Sequence, residues 1–154
     1  MSERVIEEIR SRLGERAADV QVRSPRRVYI DLAPGDLQEA AHTLFVDMGA
    51  RYAIASGVQT ESGFEVLHHF AFDADHLLVT LRVRTDDEDA PEFDSLAPMI
   101  KGAEFIEREM NDLLGIRFRG HPRPERLILS DDWPEGVHPL RRGRPWEGRV
   151  RKEI

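Results

Sequence analysis

The sequence predicts an α+β fold in which helices pack on one face of an antiparallel sheet. Three observations support this prediction: apolar residues at helical spacing in two segments, one strand with regular apolar–polar alternation, and a chain order of helix, strands, helix and strand meander. The chain has 154 residues, of which 40% are hydrophobic and 33% are charged. Folding buries roughly 70% of the unfolded surface at this length, so one self-sufficient core can form.

Two amphipathic helices are predicted in the first third of the chain. The first spans residues 2–16, and the second begins at Pro34 and ends at Gly49, since proline favours the start of a helix and glycine its end. Short strands are predicted between them, at 19–23 and 27–32. The apolar stripes are Val5, Ile6, Ile9 and Leu13 in the first helix, and Leu37, Ala40, Ala41, Leu44, Phe45 and Met48 in the second.

A meander of three strands follows the second helix. Its first two strands cover Tyr52–Val58 and Phe64–Phe72, and its last strand alternates most clearly. In that last strand Leu77, Val79, Leu81 and Val83 point to one side, and Leu78, Thr80, Arg82 and Arg84 point to the other. One polar face is typical of an antiparallel sheet. The acidic segment Thr85–Asp94 is predicted to be a solvated loop, and a third helix to run from about Ile100 to Leu114, ending at Gly115.

Composition excludes several kinds of protein. The chain contains no cysteine, which excludes iron–sulfur clusters, thiolate zinc sites, cysteine nucleophiles and disulfides within it. The net charge is −7, and no apolar run approaches the ~20 residues of a transmembrane helix. The charged N-terminus predicts that the protein is not exported. Phosphate-binding glycine motifs and a nucleophile elbow are absent, and the acidic charge argues against nucleic-acid binding.

The charge is distributed unevenly along the chain. Residues 1–115 contain 12 basic and 23 acidic side chains, whereas residues 116–154 contain 10 basic and 6 acidic ones and five of the nine prolines. Trp133 and Trp146 lie beside prolines in this second part. An exposed indole is rare in a free tail, so a groove on another protein is the expected environment. We therefore predict an α+β domain over 1–115 and an extended C-terminal arm over 116–154 that packs on a partner subunit.

The histidines could suggest a metal site. His68 and His69 are adjacent in a predicted strand, so their side chains point to opposite faces and cannot both bind one ion. His76 begins the next strand and could approach one of them. Nothing in this spacing requires a metal, and structural histidines are the preferred interpretation.

Four acidic residues crowd the third helix: Glu104, Glu107, Glu109 and Asp112. The helix lacks the Glu-x-x-His pairs of di-iron proteins. Arg108 is four residues from both Glu104 and Asp112, so helical spacing predicts ion pairs with both. Glu107 or Glu109 would then face the arm or a partner. A free-standing enzyme based on Glu107, Glu109 and Asp112 is an alternative, although periodicity indicates no apolar pocket that would isolate one carboxylate.

The C-terminal half contains two blocks of motif residues. The first block is Glu107-Arg108-Glu109, Asp112-Leu113-Leu114-Gly115-Ile116, Phe118 and Gly120-His121-Pro122, and the second is Asp131-Asp132-Trp133 and His138-Pro139-Leu140-Arg141. Over residues 99–148 this pattern resembles the signature of the respiratory complex I 30 kDa subunit family (the C-type chain of NADH:quinone oxidoreductase). That family includes the counterpart in membrane-bound, energy-converting nickel–iron hydrogenases. The resemblance assigns partner binding to Glu107, Arg108, Glu109, Asp112, Gly115, His121, Pro122, Asp132, Trp133, His138, Pro139, Leu140 and Arg141.

The resemblance implies a non-catalytic subunit with no cofactor of its own. Iron–sulfur clusters and the quinone or nickel–iron site are expected in partner subunits, namely a large subunit and a small iron–sulfur subunit. The chain would lie on the cytoplasmic face of the membrane and contact it only through the complex. Trp133 would be the leading anchor of the arm on the large subunit, because buried tryptophans dominate interface energetics. Arg141 and Arg142 would pair with acidic groups of that subunit.

Three departures from the family pattern bear on the type of complex. Glu125 replaces a usual basic residue or proline, and Gly143-Arg144 replace a usual aspartate and aromatic residue. The four residues 134–137 between Trp133 and His138 make a longer turn than the complex I pattern. The longer turn and the short chain favour a hydrogenase-type complex, a group in which hydrogenase-related antiporter complexes are included, with a true NADH:quinone oxidoreductase as the alternative. A free-standing enzyme and a scaffold of an unrelated assembly are more distant alternatives.

Overall fold

A five-stranded sheet covered by helices on one face forms the body of the protein. The computed structural model describes residues 2–143, so Trp146 and the end of the predicted arm lie outside the described residues. The helices are α1 (Ser2–Leu13), α2 (Leu37–His42) and α3 (Ala103–Leu114). The strands are β1 (Asp19–Ser24), β2 (Arg27–Asp31), β3 (Arg51–Thr60), β4 (Gly63–Phe72), β5 (Leu77–Thr85), β6 (Glu92–Asp94) and β7 (Arg117–Arg119). The predicted α+β class is therefore confirmed.

The five-stranded sheet has the order β1-β2-β5-β4-β3. Three of its four strand pairs are antiparallel, as predicted, but β2 and β5 are parallel. The difference arises because the helical connection between β2 and β3, which contains α2, returns the chain so that β3 runs in the same direction as β2. After the two antiparallel pairs β3–β4 and β4–β5, β5 also runs in this direction and is parallel to β2. Spacing within one strand carries no information about such a long-range neighbour.

The alternating strand β5 supplies the centre of the core. Its predicted inward residues are all at most 2% exposed: Leu77, Val79, Leu81 and Val83. They join one apolar cluster with Ile6, Ile9 and Leu13 of α1. The second predicted helix is present as α2 flanked by short helical turns at Pro34–Asp36 and Thr43–Asp47, and it ends before Gly49, as the sequence predicts.

The helix α3 packs closely on the edge strand β3 because Gly57 has no side chain. A Cβ atom there would lie 2.9 Å from Met110 Sδ and 3.0 Å from Leu114 Cδ1. The helix begins at Ala103 rather than at the predicted Ile100, since the preceding residues form tight turns. Its end is as predicted, because Gly115 adopts φ +72° directly after it.

A second, two-stranded sheet was not predicted. In it, β6 lies within the expected acidic loop and β7 within the expected arm, and the two strands pair in parallel. Arg119 binds Glu92 at 2.8 Å and Asp94 at 3.0 Å, while Phe93 is buried. Strands of three residues are too short to show alternation. This pair attaches the beginning of the arm to the body of the protein.

The longest helices among residues 2–143 are α1 and α3, with 12 residues each. Within the same residues, no helix is both long and apolar enough to cross a bilayer.

Candidate functional site

The motif residues meet where the C-terminal segment, defined here as residues 120–143, folds back along α3. The segment has no regular secondary structure. Its backbone groups therefore need partners other than a helix or sheet ladder. Side chains of α3 bind the first part of the segment, and the second part binds the end of α3.

Asp112 fixes the middle of the segment. Its Oδ2 atom accepts hydrogen bonds from the backbone N–H groups of Leu127 (2.9 Å), Ile128 (2.7 Å) and Leu129 (3.1 Å). The residue is only 3% exposed. Burial acts to raise the pKa of Asp112, but the three amide bonds outweigh it and hold the pKa below its ordinary value. Asp112 therefore acts as an anion that gathers three consecutive amides.

Arg108 binds the residues immediately before these amides. Its Nε atom donates to the carbonyl of Glu125 at 2.9 Å, and Nη2 donates to the carbonyl of Arg126 at 3.0 Å. Glu104 Oε1 lies 3.9 Å from Nη1, as the spacing predicts. The predicted Arg108–Asp112 pair is wrong, because the Asp112 carboxylate is taken by backbone amides of the segment. Backbone groups thus displace the helical ion pair.

The C-terminal end of α3 is capped by the second motif block. The last carbonyls of a helix have no partners within it. Hydrogen bonds join His138 Nδ1 to the Asp112 carbonyl (2.9 Å), Leu140 N–H to the Leu113 carbonyl (2.9 Å) and Arg141 Nε to the Leu114 carbonyl (2.6 Å). The His-Pro-Leu-Arg block is therefore a helix cap supplied from 24 or more residues downstream.

Gly115 makes this cap possible. Its φ of +72° disfavours a side chain, and a Cβ atom would lie 2.5 Å from His138 Cδ2. Arg141 and Arg142 bind groups of the same chain, and their pairing with acids of a partner stays a prediction. Arg141 donates to the Leu114 carbonyl and its guanidinium lies 5.1 Å from the Phe64 ring centroid. The Arg142 guanidinium donates to the Gln59 carbonyl at 2.7 Å.

Glu107 lies on the inner side of α3 and is fully buried. It accepts hydrogen bonds from the Ser95 hydroxyl (2.5 Å) and the Leu96 N–H (2.7 Å). Burial raises the pKa of Glu107 to about 7 against the effect of these two bonds. Glu107 or Glu109 is expected from the sequence to face the arm or a partner. Glu107 approaches the arm at His121, whose Nε2 atom lies 3.9 Å from the Glu107 carboxylate.

His121 attaches the start of the C-terminal segment to α3. Its Nδ1 atom accepts the Arg123 N–H (3.0 Å), so the proton lies on Nε2, which donates to the Glu104 carbonyl (3.0 Å). Only 3% of the side chain is exposed. The motif histidine therefore has a structural contact on each ring nitrogen.

The remaining motif residues lie nearer the surface. Trp133 is partly buried, and its Nε1–H donates to the Val137 carbonyl at 2.8 Å. Asp132 accepts the Ser130 hydroxyl at 2.6 Å. Pro122, Pro139 and Leu140 are exposed, and Glu109 is partly exposed. Within residues 2–143, Glu109 forms no hydrogen bond or ion pair, unlike Glu107 and Asp112.

A cavity of about 760 Å³ lies between α3, the β6–β7 pair and the C-terminal segment. Eight motif residues line it: Glu107, Arg108, Gly115, Phe118, Gly120, His121, His138 and Arg141. The ionisable side chains among them already bind backbone groups. The cavity therefore lies where the C-terminal segment is attached to α3. In the described part of the chain, no group of three or more histidine, aspartate or glutamate side chains is placed to bind a metal ion.

His68 and His69 point to opposite faces of the sheet, as predicted. His68 is fully buried and its Nδ1 atom lies 3.1 Å from the Tyr52 hydroxyl, whereas His69 bonds to Thr80 at 2.8 Å on the other face. Burial lowers the pKa of His68 to about 3, so its ring is neutral.

Several residues that complete the site have no signal in the sequence. Ser95 binds Glu107, Asn111 Nδ2 donates to the Ile116 carbonyl at 3.0 Å, and Arg126 donates to the Trp133 carbonyl at 2.6 Å. Each side chain bonds to a group distant in sequence or to irregular backbone. Neither helical nor strand periodicity could indicate such contacts.

The fold and the site together define an α+β subunit module whose motif residues attach its own C-terminal segment. The chain belongs to the respiratory-chain NADH dehydrogenase 30 kDa subunit family, whose model matches residues 30–150. This confirms the resemblance seen in the sequence. The chain is thus of the subunit type found in the complex I and membrane-bound hydrogenase family.

Relatives from both branches of the family are similar to this chain. It is 42% identical over 90 residues to the NADH-quinone oxidoreductase C/D protein of Phocaeicola vulgatus, covering 53% of this chain and 17% of the relative. It is 46% identical over 56 residues to hydrogenase-4 component G of Escherichia coli, covering 36% of this chain and 10% of the relative. The chain therefore matches only a minor part of these longer relatives.

The fold also occurs in a solved respiratory complex. A chain of the archaeal membrane-bound sulfane sulfur reductase matches with a TM-score of 0.78 and 19% identity. The match covers 89% of this chain and 81% of that one. At this identity the match shows that the two chains share a fold.

Proposed function

We propose that this chain is a cofactor-free subunit that holds the large subunit of a membrane-bound redox complex. The observation that carries the proposal is how the motif residues are used. Arg108, Asp112, His121, His138 and Arg141 all hold backbone groups of α3 or of the C-terminal segment. These side chains therefore shape a surface, and the redox centres belong in partner subunits.

The preferred partner is a large subunit of the D type. In the Phocaeicola vulgatus C/D relative, the similar region makes up 17% of one longer polypeptide. Covalent linkage in that relative supports contact between separate C-type and D-type chains. A small iron–sulfur subunit is the second proposed partner. In this arrangement the chain lies on the cytoplasmic face of the membrane and contacts it only through the complex.

Within the family we favour a hydrogenase-type complex over an NADH:quinone oxidoreductase. The supporting observation is the longer turn of residues 134–137, which the Trp133 indole closes by its bond to the Val137 carbonyl. The activity of the intact complex tests this choice. Hydrogen turnover with nickel-binding cysteines in the D-type subunit would support it, and NADH-dependent quinone reduction without nickel would overturn it.

A free-standing enzyme based on Glu107, Glu109 and Asp112 is the competing function. A carboxyl whose pKa is raised to about 7 resembles a general acid–base group. However, Glu107 is fully buried and both of its oxygens accept hydrogen bonds, so its carboxyl group is already bound by Ser95 and Leu96 of the same chain. Asp112 is likewise occupied by amides. This favours the structural role.

Affinity purification of the tagged full chain from solubilised membranes tests the proposed function. We expect the D-type and small iron–sulfur subunits to copurify in equal amounts with the chain. The chain expressed alone should contain no stoichiometric iron, nickel or flavin and should turn over neither hydrogen nor NADH. Turnover by the chain alone, or a tagged chain that never brings a D-type subunit with it, would overturn the proposal.

A further inference from the structure

The outward side of α3 carries an acid among exposed apolar side chains. Glu109 lies one turn after Phe105 and one turn before Leu113, so the three share a side of the helix. Phe105 is 61% exposed, and Glu109 is partly exposed. Glu107 and Asp112 have internal hydrogen-bond donors, but Glu109 has none among residues 2–143. In this described part of the chain, the helix thus leaves one motif acid without an internal partner.

The C-terminal segment adds apolar side chains beside this acid. Asp112 and Arg108 hold the segment on α3 so that Leu127 and Ile128, 40% and 54% exposed, lie beside the helix. The Arg108 guanidinium also lies 5.7 Å from the Phe105 ring centroid. Four of the eight exposed large apolar side chains in residues 2–143 therefore gather at α3 and its attached segment: Phe105, Leu127, Ile128 and Leu140.

Such a surface has an identifiable chemical complement. Clustered exposed apolar side chains mark interaction sites. A partner that covers them also removes water from Glu109, and a desolvated carboxylate is stable only when it is paired with a cation or accepts several hydrogen bonds, as Asp112 does. The partner must therefore bring a cation or several hydrogen-bond donors. Arginine fits best, because a guanidinium is weakly hydrated and can bind both carboxylate oxygens.

Two acids on the uncovered face of the main sheet are paired with arginines of the same chain. There Asp31 binds Arg82 at 2.6 Å, and Glu65 binds Arg84 at 3.0 Å. A cation supplied by a partner would therefore add less binding free energy at that face. The surface around Glu109 is the better candidate for a specific contact.

We propose that the Glu109 surface, made of Phe105, Glu109, Leu127, Ile128 and Leu140, is the docking site of the D-type large subunit. An arginine of that subunit pairs with Glu109 among the apolar side chains of this surface. The polar attachment by Arg108 and Asp112 then has a purpose beyond stability, since it positions Leu127 and Ile128 for the partner. This inference rests on the proposed function.

The test uses the tagged full chain expressed from its own locus, and it measures the D-type subunit that copurifies by quantitative mass spectrometry. We expect Glu109→Arg to lower capture at least tenfold, because it places two cations in one desolvated site. Glu109→Gln and Ile128→Ser should lower capture by about threefold each. All three variants should keep the wild-type circular dichroism and melting temperature, since neither side chain has a polar partner among the described residues.

Two matched controls test whether a loss of capture depends on this surface or only on the kind of substitution. Glu61→Arg makes the same charge change at an exposed turn, and Val46→Ser truncates an apolar side chain that is 53% exposed, close to the 54% of Ile128. Both controls should retain full capture. Undiminished capture by Glu109→Arg, with normal capture by the wild type, would overturn this docking site and direct attention to the sheet face. Absence of the D-type subunit from the wild-type preparation would instead overturn the proposed function.

Discussion

The inner and outer sides of α3 each bury one carboxylate, yet the two pKa values move in opposite directions. Glu107 on the inner side is fully buried, and its pKa is raised to about 7 by burial. Asp112 on the outer side is 3% exposed, and its pKa is lowered. Low exposure alone therefore does not determine which carboxylate is an anion.

The difference lies in the surroundings of each group. Glu107 sits in the interior with two hydrogen-bond donors, Ser95 and Leu96. Asp112 is bound by the C-terminal segment, which gives it three backbone donors. Burial dominates on the inner side and donors dominate on the outer side. The inner side of α3 thus belongs to the body of the protein, while the outer side is an electrostatic attachment point for the C-terminal segment.

The largest effect is expected from Asp112→Ala. This change removes a charged acceptor from three amides and should destabilise the attached segment by about 3 kcal/mol. Hydrogen exchange at Leu127, Ile128 and Leu129 should accelerate about 100-fold, while exchange in β4 and β5 stays slow. Asp132→Ala removes an exposed aspartate and serves as the control. Unchanged protection of the three amides would show that they are held by something other than Asp112.

The next largest effect is expected from Glu107→Gln, which should change how the free energy of unfolding depends on pH. The folded-state pKa of Glu107, about 7, exceeds the ordinary value of 4.5. Its contribution to stability is therefore complete below pH 4.5 and declines as the pH rises through 7. Between pH 5 and pH 8 the wild type should lose about 2.5 kcal/mol relative to the glutamine variant.

Urea unfolding at several pH values measures this difference. Glu109→Gln is the matched control, because it neutralises a partly exposed acid on the same helix. Parallel pH profiles for the wild type and Glu107→Gln would contradict the assignment of a raised pKa to Glu107. Asp112 should behave in the opposite sense, since its lowered pKa makes its contribution present above the ordinary value and lost in acid.

The two sides of α3 also differ in how far the sequence could predict them. Apolar periodicity predicted the helices, the alternation of β5 and the end of α3 at Gly115, because burial on one face repeats at a fixed spacing. The motif pattern singled out Asp112, His138 and Arg141, which join α3 to the C-terminal segment, whereas their assignment to partner binding stays a prediction. Periodic and local patterns thus carry most of the fold.

The contacts of those motif residues were harder to predict. Helical spacing predicted an ion pair between Arg108 and Asp112. It cannot show that a backbone amide 15 residues downstream competes for the same carboxylate. The irregular C-terminal segment has no period, and the strands β6 and β7 are too short for one. The parallel β2–β5 pair depends on chain topology alone. Long-range polar contacts of irregular backbone are therefore the part that the sequence leaves open.

Ser95→Ala should affect only the inner side of α3. Its effect on the free energy of unfolding should be smaller than those of Asp112→Ala and Glu107→Gln. The Ser95 hydroxyl bond to Glu107 acts to lower the pKa of that carboxyl. Its loss should raise the pKa of Glu107 further and destabilise the protein by about 1 kcal/mol. Carbon-13 NMR titration of the glutamate carboxyls measures the midpoint, with Ser130→Ala as the control. A midpoint at or below that of the wild type would contradict the role of Ser95.

The smallest effect in the isolated chain is expected from Leu140→Ser on the outer side. The backbone N–H of Leu140 caps the Leu113 carbonyl, but its side chain is 59% exposed. Truncation should therefore cost less than about 0.5 kcal/mol of unfolding free energy. Leu140→Pro is the matched contrast, because it removes the capping N–H and should cost about 1 kcal/mol or more. Thermal unfolding of both variants measures the two contributions. A serine variant as unstable as the proline variant would mean that the leucine side chain packs within the chain, and the Glu109 surface would then lose one of its four apolar contacts for the partner.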